Sequence, residues 1–146
     1  MSAEENKAVL RRFGEAMKHF WRTGDASVFD SVLAPEYVQH WPGFPSDRQG
    51  YLDTLQVFRT AFPDLEKTTE DVLADADKVV DRVTVRCTHT GEFRGHPPTG
   101  KAVTMTEMHI ARVEGGRIVE RWGEWDLLGL LEQIGIARVA AAPEPA

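Results

Sequence analysis

Apolar positions recur at spacings of three and four through the first part of the chain and at a spacing of two through most of the rest. Val9, Phe13, Ala16, Met17 and Phe20 make one stripe, which predicts a helix over residues 4–22. Ser2 with Glu5 resembles a capping box at its start, and Thr23-Gly24 supplies a left-handed stop. Asp25 is placed to cap a second, short helix from about Ala26 to Leu33, closed by Pro35. Glu36 to His40 reads as a short extended segment. In Trp41-Pro42-Gly43-Phe44-Pro45 the prolines and the glycine break both helix and ladder, so this aromatic stretch is expected to form a pocket rim or lid. Ser46 or Asp47 then caps a helix over 48–62, with Tyr51, Leu55, Phe58 and Phe62 on one side and Pro63 beyond its end.

After Pro63 the alternation predicts strands over 66–74 and 78–90, joined at Asp75-Ala76-Asp77, with Val79, Val83, Val85, Cys87 and His89 on one face. A loop over 91–100 leads into a hairpin from Lys101 to Asp126. A last short helix spans 127–134, stopped by Gly135, and the Ala- and Pro-rich residues 137–146 are expected to be disordered. Residues 1–136 then form one domain. Helices segregated from hairpin-connected strands define an α+β fold. The expected form is a curved antiparallel sheet around the long first helix, a cone with an apolar interior.

The hairpin carries the chemistry. Its parity depends on the loop. If Glu114-Gly115-Gly116 is a three-residue loop, odd residues share a face on both arms, with Glu107 opposite Gly123 and His109 opposite Arg121. A two-residue loop sets His109 with Trp122 and Glu124 instead. The three-residue reading gives Glu107, His109 and Arg121 the company of Val103, Met105, Ala111, Val113, Val119 and Trp125, an apolar face with a few convergent polar groups. The even face, with Thr104, Thr106, Met108, Ile110, Ile118 and Trp122, is too apolar for a fully wet surface and predicts a homodimer packed sheet on sheet.

Composition narrows the partners. With 17 Lys and Arg against 23 Asp and Glu, the net charge is −6, and no basic stripe is present to bind nucleic acid. No apolar run approaches the length of a membrane span, and the acidic N-terminus is unlike a secretory signal. The single cysteine, Cys87, excludes an internal disulfide and reads as a core residue. The histidines show no metal-ligand spacing, and no flavin, haem or nicotinamide motif is present. The expectation is a soluble, cytoplasmic protein without metal or cofactor.

The stretch Thr88-His-Thr-Gly-Glu-Phe-Arg-Gly-His-Pro-Pro-Thr-Gly-Lys101, the Glu114-Gly-Gly-Arg117 turn, Ala61-Phe-Pro-Asp-Leu65 and Leu127-Leu-Gly-Leu-Leu-Glu-Gln-Ile-Gly135 resemble the SnoaL-like polyketide cyclases over residues 5–136. The resemblance implies an NTF2-like cone-shaped α+β barrel, a cavity for a polycyclic aromatic polyketide and no cofactor. It further implies antibiotic-type chemistry: aldol closure of anthracycline rings in some members, hydroxylation of such rings in others. His109 matches the cyclases' first-arm histidine. The cyclases' acid/base aspartate falls on Gly123, which favours the hydroxylase branch; an aldol cyclase using Glu107 and His109, and a binding or dimerisation module without chemistry, are the alternatives.

Glu107, desolvated on an apolar face, would have a raised pKa suited to a general base, or would be a structural partner of Arg121 or His109. His109 would polarise a carbonyl or shuttle a proton, or be a satisfied core histidine. Arg121 would stabilise an anion. Gln39, His40, Trp41, Phe44, Tyr51, Met105, Gly123 and Trp125 are candidate substrate contacts, the aromatic ones as flat surfaces for fused rings. His40 reads equally as a loop histidine, and Gly123 as room for a ligand or a bulge. His89 and His96 receive no role.

Overall fold

The computed structural model describes residues 1–140, 143 and 145. Helix α1, Ala3–Thr23, begins at Ser2, whose hydroxyl accepts from the Glu5 amide at 3.1 Å, and ends at Gly24 in the left-handed region. Its stripe of Val9, Phe13, Met17 and Phe20 is buried. Asp25 caps only a single 3-10 turn, Ala26–Phe29. The helix expected as far as Leu33 is not formed, because Leu33 opens strand β1, Leu33–His40. Val32, Leu33 and Ala34 are a short apolar run, which periodicity cannot assign to helix or strand.

Helix α2, Arg48–Ala61, is followed by β2, Glu66–Asp75, β3, Lys78–Thr88, β4, Ala102–Glu114, β5, Arg117–Trp125, and helix α3, Leu127–Gln133. The sheet order is β1-β5-β4-β3-β2. Its neighbours are antiparallel except β1 and β5, which run parallel, so the sheet is mixed. The α+β class and the sheet packed on α1 are as expected. The two hydrophobic clusters lie on that inner side, one built on α1 and β1, the other on α2, α3 and the middle strands. Trp21 and Trp41 pack against both. Residues 137–140 carry no regular structure, and positions 141, 142, 144 and 146 of the expected tail lie outside the described residues.

The hairpin turn is tighter than expected. Glu114 pairs with Arg117 across Gly115 and Gly116, whose φ angles of 59° and 78° both lie in the left-handed region. Two consecutive positive φ values are what a two-residue I′ turn requires. Such a turn would pair odd residues with even ones. The register then shifts: Val113 faces Ile118, but Arg112 faces Glu120. Val119 is the extra residue of a bulge, and Ile118 and Val119 are both buried. Odd residues therefore do share the inner face, but two places along from the predicted pairing. His109 lies opposite Gly123, and Glu107 opposite Trp125. Ile118, expected on the outer face, is inside with 0% exposure.

The loop after β3 is held against α2. The amides of Thr90 and Gly91 both donate to the Ala61 carbonyl. A β-carbon on Gly91 would sit 2.0 Å from the Thr60 carbonyl oxygen, a backbone atom that cannot swing away. Cys87 is buried, and burial, reinforced by Asp64, pushes its thiol up to about 12, as suits an inert core residue. Gly91→Ala is expected to destabilise the fold by about 3 kcal/mol, the upper end of overpacking costs. Urea unfolding measures it; a loss below about 1 kcal/mol would contradict this packing.

Candidate active site

Adjacent strands bring one row of polar side chains to the same level of the inner face. Asp81 on β3 pairs with His109 on β4, which pairs with Gly123 on β5. Nδ1 of His109 lies 2.7 Å from Asp81 Oδ1, and its Nε2 lies 3.3 Å from Glu107 Oε2. Lys67 Nζ, reaching in from β2, donates to the same Glu107 oxygen at 3.1 Å. Asp81, Glu107 and His109 are each at most 6% exposed, so neither carboxylate relies on bulk water. Glu107 is thus paired with His109, as one reading expected, and with Lys67.

The pairing reverses the expected effect on Glu107. Burial alone would raise its pKa. The charge of Lys67 and the hydrogen bond from His109 outweigh burial and hold the carboxyl well below the usual carboxylate range. Burial likewise opposes ionisation of Asp81, and the His109 hydrogen bond with the Arg121 charge outweighs it. Glu107 is therefore a weak base, not the strong one that an unpaired buried carboxylate would be.

Arg121 stands beside this group on β5. It is buried, its guanidinium lies over the Phe13 ring at 4.8 Å, and its Nε has no hydrogen-bond partner among the described residues. Burial disfavours its charge, but Tyr51, Tyr37, Asp81 and Glu107 outweigh that and raise its pKa. The two tyrosines are buried and un-ionised: burial pushes Tyr51 up to about 12 and Tyr37 well above its ordinary value. The Tyr37 hydroxyl donates to Oε1 of Gln39, itself buried.

Gly123 is tightly surrounded. A β-carbon there would meet His109 Cδ2 at 3.0 Å, Gln39 Nε2 at 3.3 Å and Trp41 Cδ1 at 3.4 Å. Gln39, Trp41, His109 and Gly123 are therefore one locus. The aromatic candidates extend it. Trp41 stacks in a tilted cluster with Phe44 at 5.2 Å, Trp125 at 5.2 Å and Phe58 at 5.9 Å, and Tyr51 lies 6.1 Å away. These rings fill the inner space in which a flat ligand was expected. The Trp41 indole nitrogen is buried and has no partner among the described residues. Outside the cluster is an open depression of about 360 Å³ lined by His40, Trp41, Phe44 and Trp122, among others. Met105 is buried in the second hydrophobic cluster.

His40 is not with them. Its ring stacks on Trp122 at 5.2 Å and its Nε2 lies 2.7 Å from Glu120 on the outer side. It lies with the outer face, where it lines the open depression together with Trp41 and Phe44. His89 is buried and held by Thr99, with Nδ1 3.0 Å from the hydroxyl. Sequence reasoning missed Asp81 and Lys67. Asp81 left a signal: it breaks the odd-numbered apolar row Val79, Val83, Val85, Cys87 with a carboxylate. Lys67 left none, because β2 is largely exposed and its reach depends on the register.

The model of the SnoaL-like polyketide cyclase family matches residues 11–134, and the chain belongs to that family. Among solved structures it is similar to AclR from Streptomyces galilaeus, described as a candidate hydroxylase, at 28% identity and a TM-score of 0.81, covering 96% of this chain and 91% of that one. It is also similar to IdmH from Streptomyces antibioticus, described as a candidate polyketide cyclase, at 33% identity and a TM-score of 0.75, covering 89% and 98%. A comparison with curated proteins finds no match. No helix among the described residues is long and apolar enough to cross a membrane.

Glu107 and Asp81 have folded-state pKa values below their unfolded ones. Their ionic contribution to stability is fully present above the unfolded carboxylate range and is lost as pH falls through the folded values. Unfolding midpoints in urea should therefore drop as pH falls from about 5 to about 3. In Glu107→Gln the drop should be shallower. An equal slope in both proteins would show that Glu107 is not held ionised by its neighbours.

Proposed function

We propose that this protein is an enzyme that tailors an aromatic polyketide of the anthracycline type, and that it hydroxylates rather than cyclises it. The observation that carries this reading is the crowding at Gly123. That is where the cyclases' aspartate is expected; glycine supplies no carboxylate, and a β-carbon there would already press on His109 at 3.0 Å and Gln39 at 3.3 Å. Glu107 does not restore it, since it sits opposite Trp125.

His109 is the proton-moving group. Asp81 holds Nδ1, which fixes the ring; Nε2 faces Glu107 Oε2 at 3.3 Å and acts as the base in the neutral ring, when it carries no proton to give to Glu107. With Lys67 and Arg121 balancing Glu107 and Asp81, a neutral ring leaves the group without net charge. Nε2 then takes a proton from an acidic C–H or phenol of the substrate, and Glu107 accepts a hydrogen bond from the imidazolium formed. Arg121, with a free Nε, stabilises the substrate anion. The anion gives two electrons to molecular oxygen and, with a proton returned, becomes a hydroperoxide. A two-electron reductant from outside the chain, with two protons, cleaves it to the alcohol and water. Fused rings take the place of Trp41 and Phe44 against Gly123 and Trp125, so the loop at 41–45 has to swing out.

The likeness to IdmH favours aldol closure as a second reading, with the same base and no oxygen consumed. The two separate in one assay. On an anthracycline-type ketone with a reductant present, hydroxylation requires oxygen uptake and product heavier by one oxygen. His109→Ala is expected to lower kcat by about 10²- to 10⁴-fold. Gly123→Asp is expected to lose turnover without gaining ring closure. Ring closure without oxygen uptake would establish the cyclase, and binding without turnover would establish a binding module.

The outer face supports a homodimer. Leu73, Val80, Ile110 and Trp122 pair in one continuous row across β2, β3, β4 and β5, with Leu73 67% and Ile110 40% exposed. Ile110→Asp is expected to shift the sedimentation coefficient to that of a monomer; a monomeric parent protein would overturn this.

A further inference from the structure

Lys67 is the one member of the charged group that reaches solvent, with its side chain 27% exposed. It comes from an edge strand and has to cross β3, whose inward positions at this level are Val83 and Val85. Lysine's long apolar stem suits that path, with the ammonium at its end. Its ammonium and Nε2 of His109 meet the same atom, Oε2 of Glu107. The two compete for one acceptor, and that geometry ties the protons of the pair to a residue no chemistry requires.

We propose that Lys67 is a positioning residue for His109: it carries the charge of Glu107 while the imidazole is neutral, and yields that oxygen when the ring takes up the substrate proton. Without Lys67, Glu107 needs another cation. The nearest available proton is one retained on the Glu107–His109 pair itself, which disables Nε2 as a base. The other charged or titratable groups facing the pair are Asp81 and Cys87 on β3, Arg121 on β5, Tyr37 on β1 and Tyr51 on α2; the Cys87 thiol is neutral and supplies no cation. Asp81 already holds Nδ1 of the ring, Arg121 makes no hydrogen bond to Oε2 among the described residues, and the tyrosines carry no positive charge, so none substitutes for Lys67. This inference takes from the proposed function only that His109 is the base.

The test compares the full-length protein with Lys67→Met and Lys67→Arg. The readout is an NMR titration of the Glu107 carboxyl carbon and the His109 ring nitrogens, with Glu107→Gln and His109→Ala used to assign the signals. In Lys67→Met the pair should retain its last proton to a pH higher by about one unit or more. Lys67→Arg should restore the parent curve. With turnover in hand, the acid limb of kcat/KM should move up by the same interval in Lys67→Met while KM holds. If Lys67→Met does not fold, Lys67→Gln, which keeps a donor without the charge, is read in the same way. A folded Lys67→Met or Lys67→Gln with the parent titration would overturn the assignment. A shifted titration with an unmoved rate profile would uphold the Lys67–Glu107 coupling and overturn His109 as the catalytic base.

Discussion

Two glycines at the hairpin tip set the β4–β5 register one residue out of phase with the side chains on the two arms, and the bulge at Val119 brings it back. The constraint is strict because side chains alternate faces along a strand, so a slip of one residue would turn the inner row outward. Without Val119, Arg121 and Gly123 would leave the inner face and Trp122 would enter it. The bulge also buries Ile118 and Val119 in succession, Ile118 within the cluster built on α1. One inserted residue thus sets both the packing of the hairpin base and which side chains reach His109.

That register gathers charge where burial makes it expensive. Transfer of a single unpaired carboxylate from water costs several kcal/mol, so groups of this kind survive only when compensated. Here two carboxylates face two cations, with an imidazole between them. Each cation comes from a different strand, Lys67 from β2 and Arg121 from β5, and each approaches from the opposite side of the β3–β4 pair. An apolar replacement of similar volume would serve stability equally well or better. Stability alone does not call for the arrangement, which supports the proposed role in proton transfer.

The helices, the strands, the aromatic loop and the inward set on β4 were legible because each follows from a period, a cap or a breaker. The short helix after Asp25 was misread because Val32, Leu33 and Ala34 are apolar without a period. Their strand is defined by a parallel partner more than eighty residues away. The bulge was illegible for a related reason: Glu114-Gly115-Gly116 is compatible with two loop lengths, and only packing on α1 chooses between them. Glu107, His109, Arg121 and Gly123 were visible as polar or small residues in apolar company. Their partners were harder to see. Asp81 stood in plain alternation, whereas Lys67 acts across an intervening strand, a relation that no linear pattern records.

The aromatic cluster completes the logic of the site. Trp41, Phe44, Phe58 and Trp125 fill the inner space beside His109 and keep water from it. Exclusion of water strengthens each of the charge interactions that hold Asp81, Glu107 and His109 in order. A flat apolar ligand exchanged for Trp41 and Phe44 would preserve that dryness, whereas a small polar molecule would flood it and weaken the base. Under the proposed function, a fused-ring substrate would gain by two routes at once, through the surface the aromatic cluster offers and through the electrostatics it protects. The unpartnered indole nitrogen of Trp41 fits this picture, since it is a donor held next to Gly123 by packing alone. Departure of the ring from the cluster would give that nitrogen access to an acceptor, which lowers the cost of opening the loop.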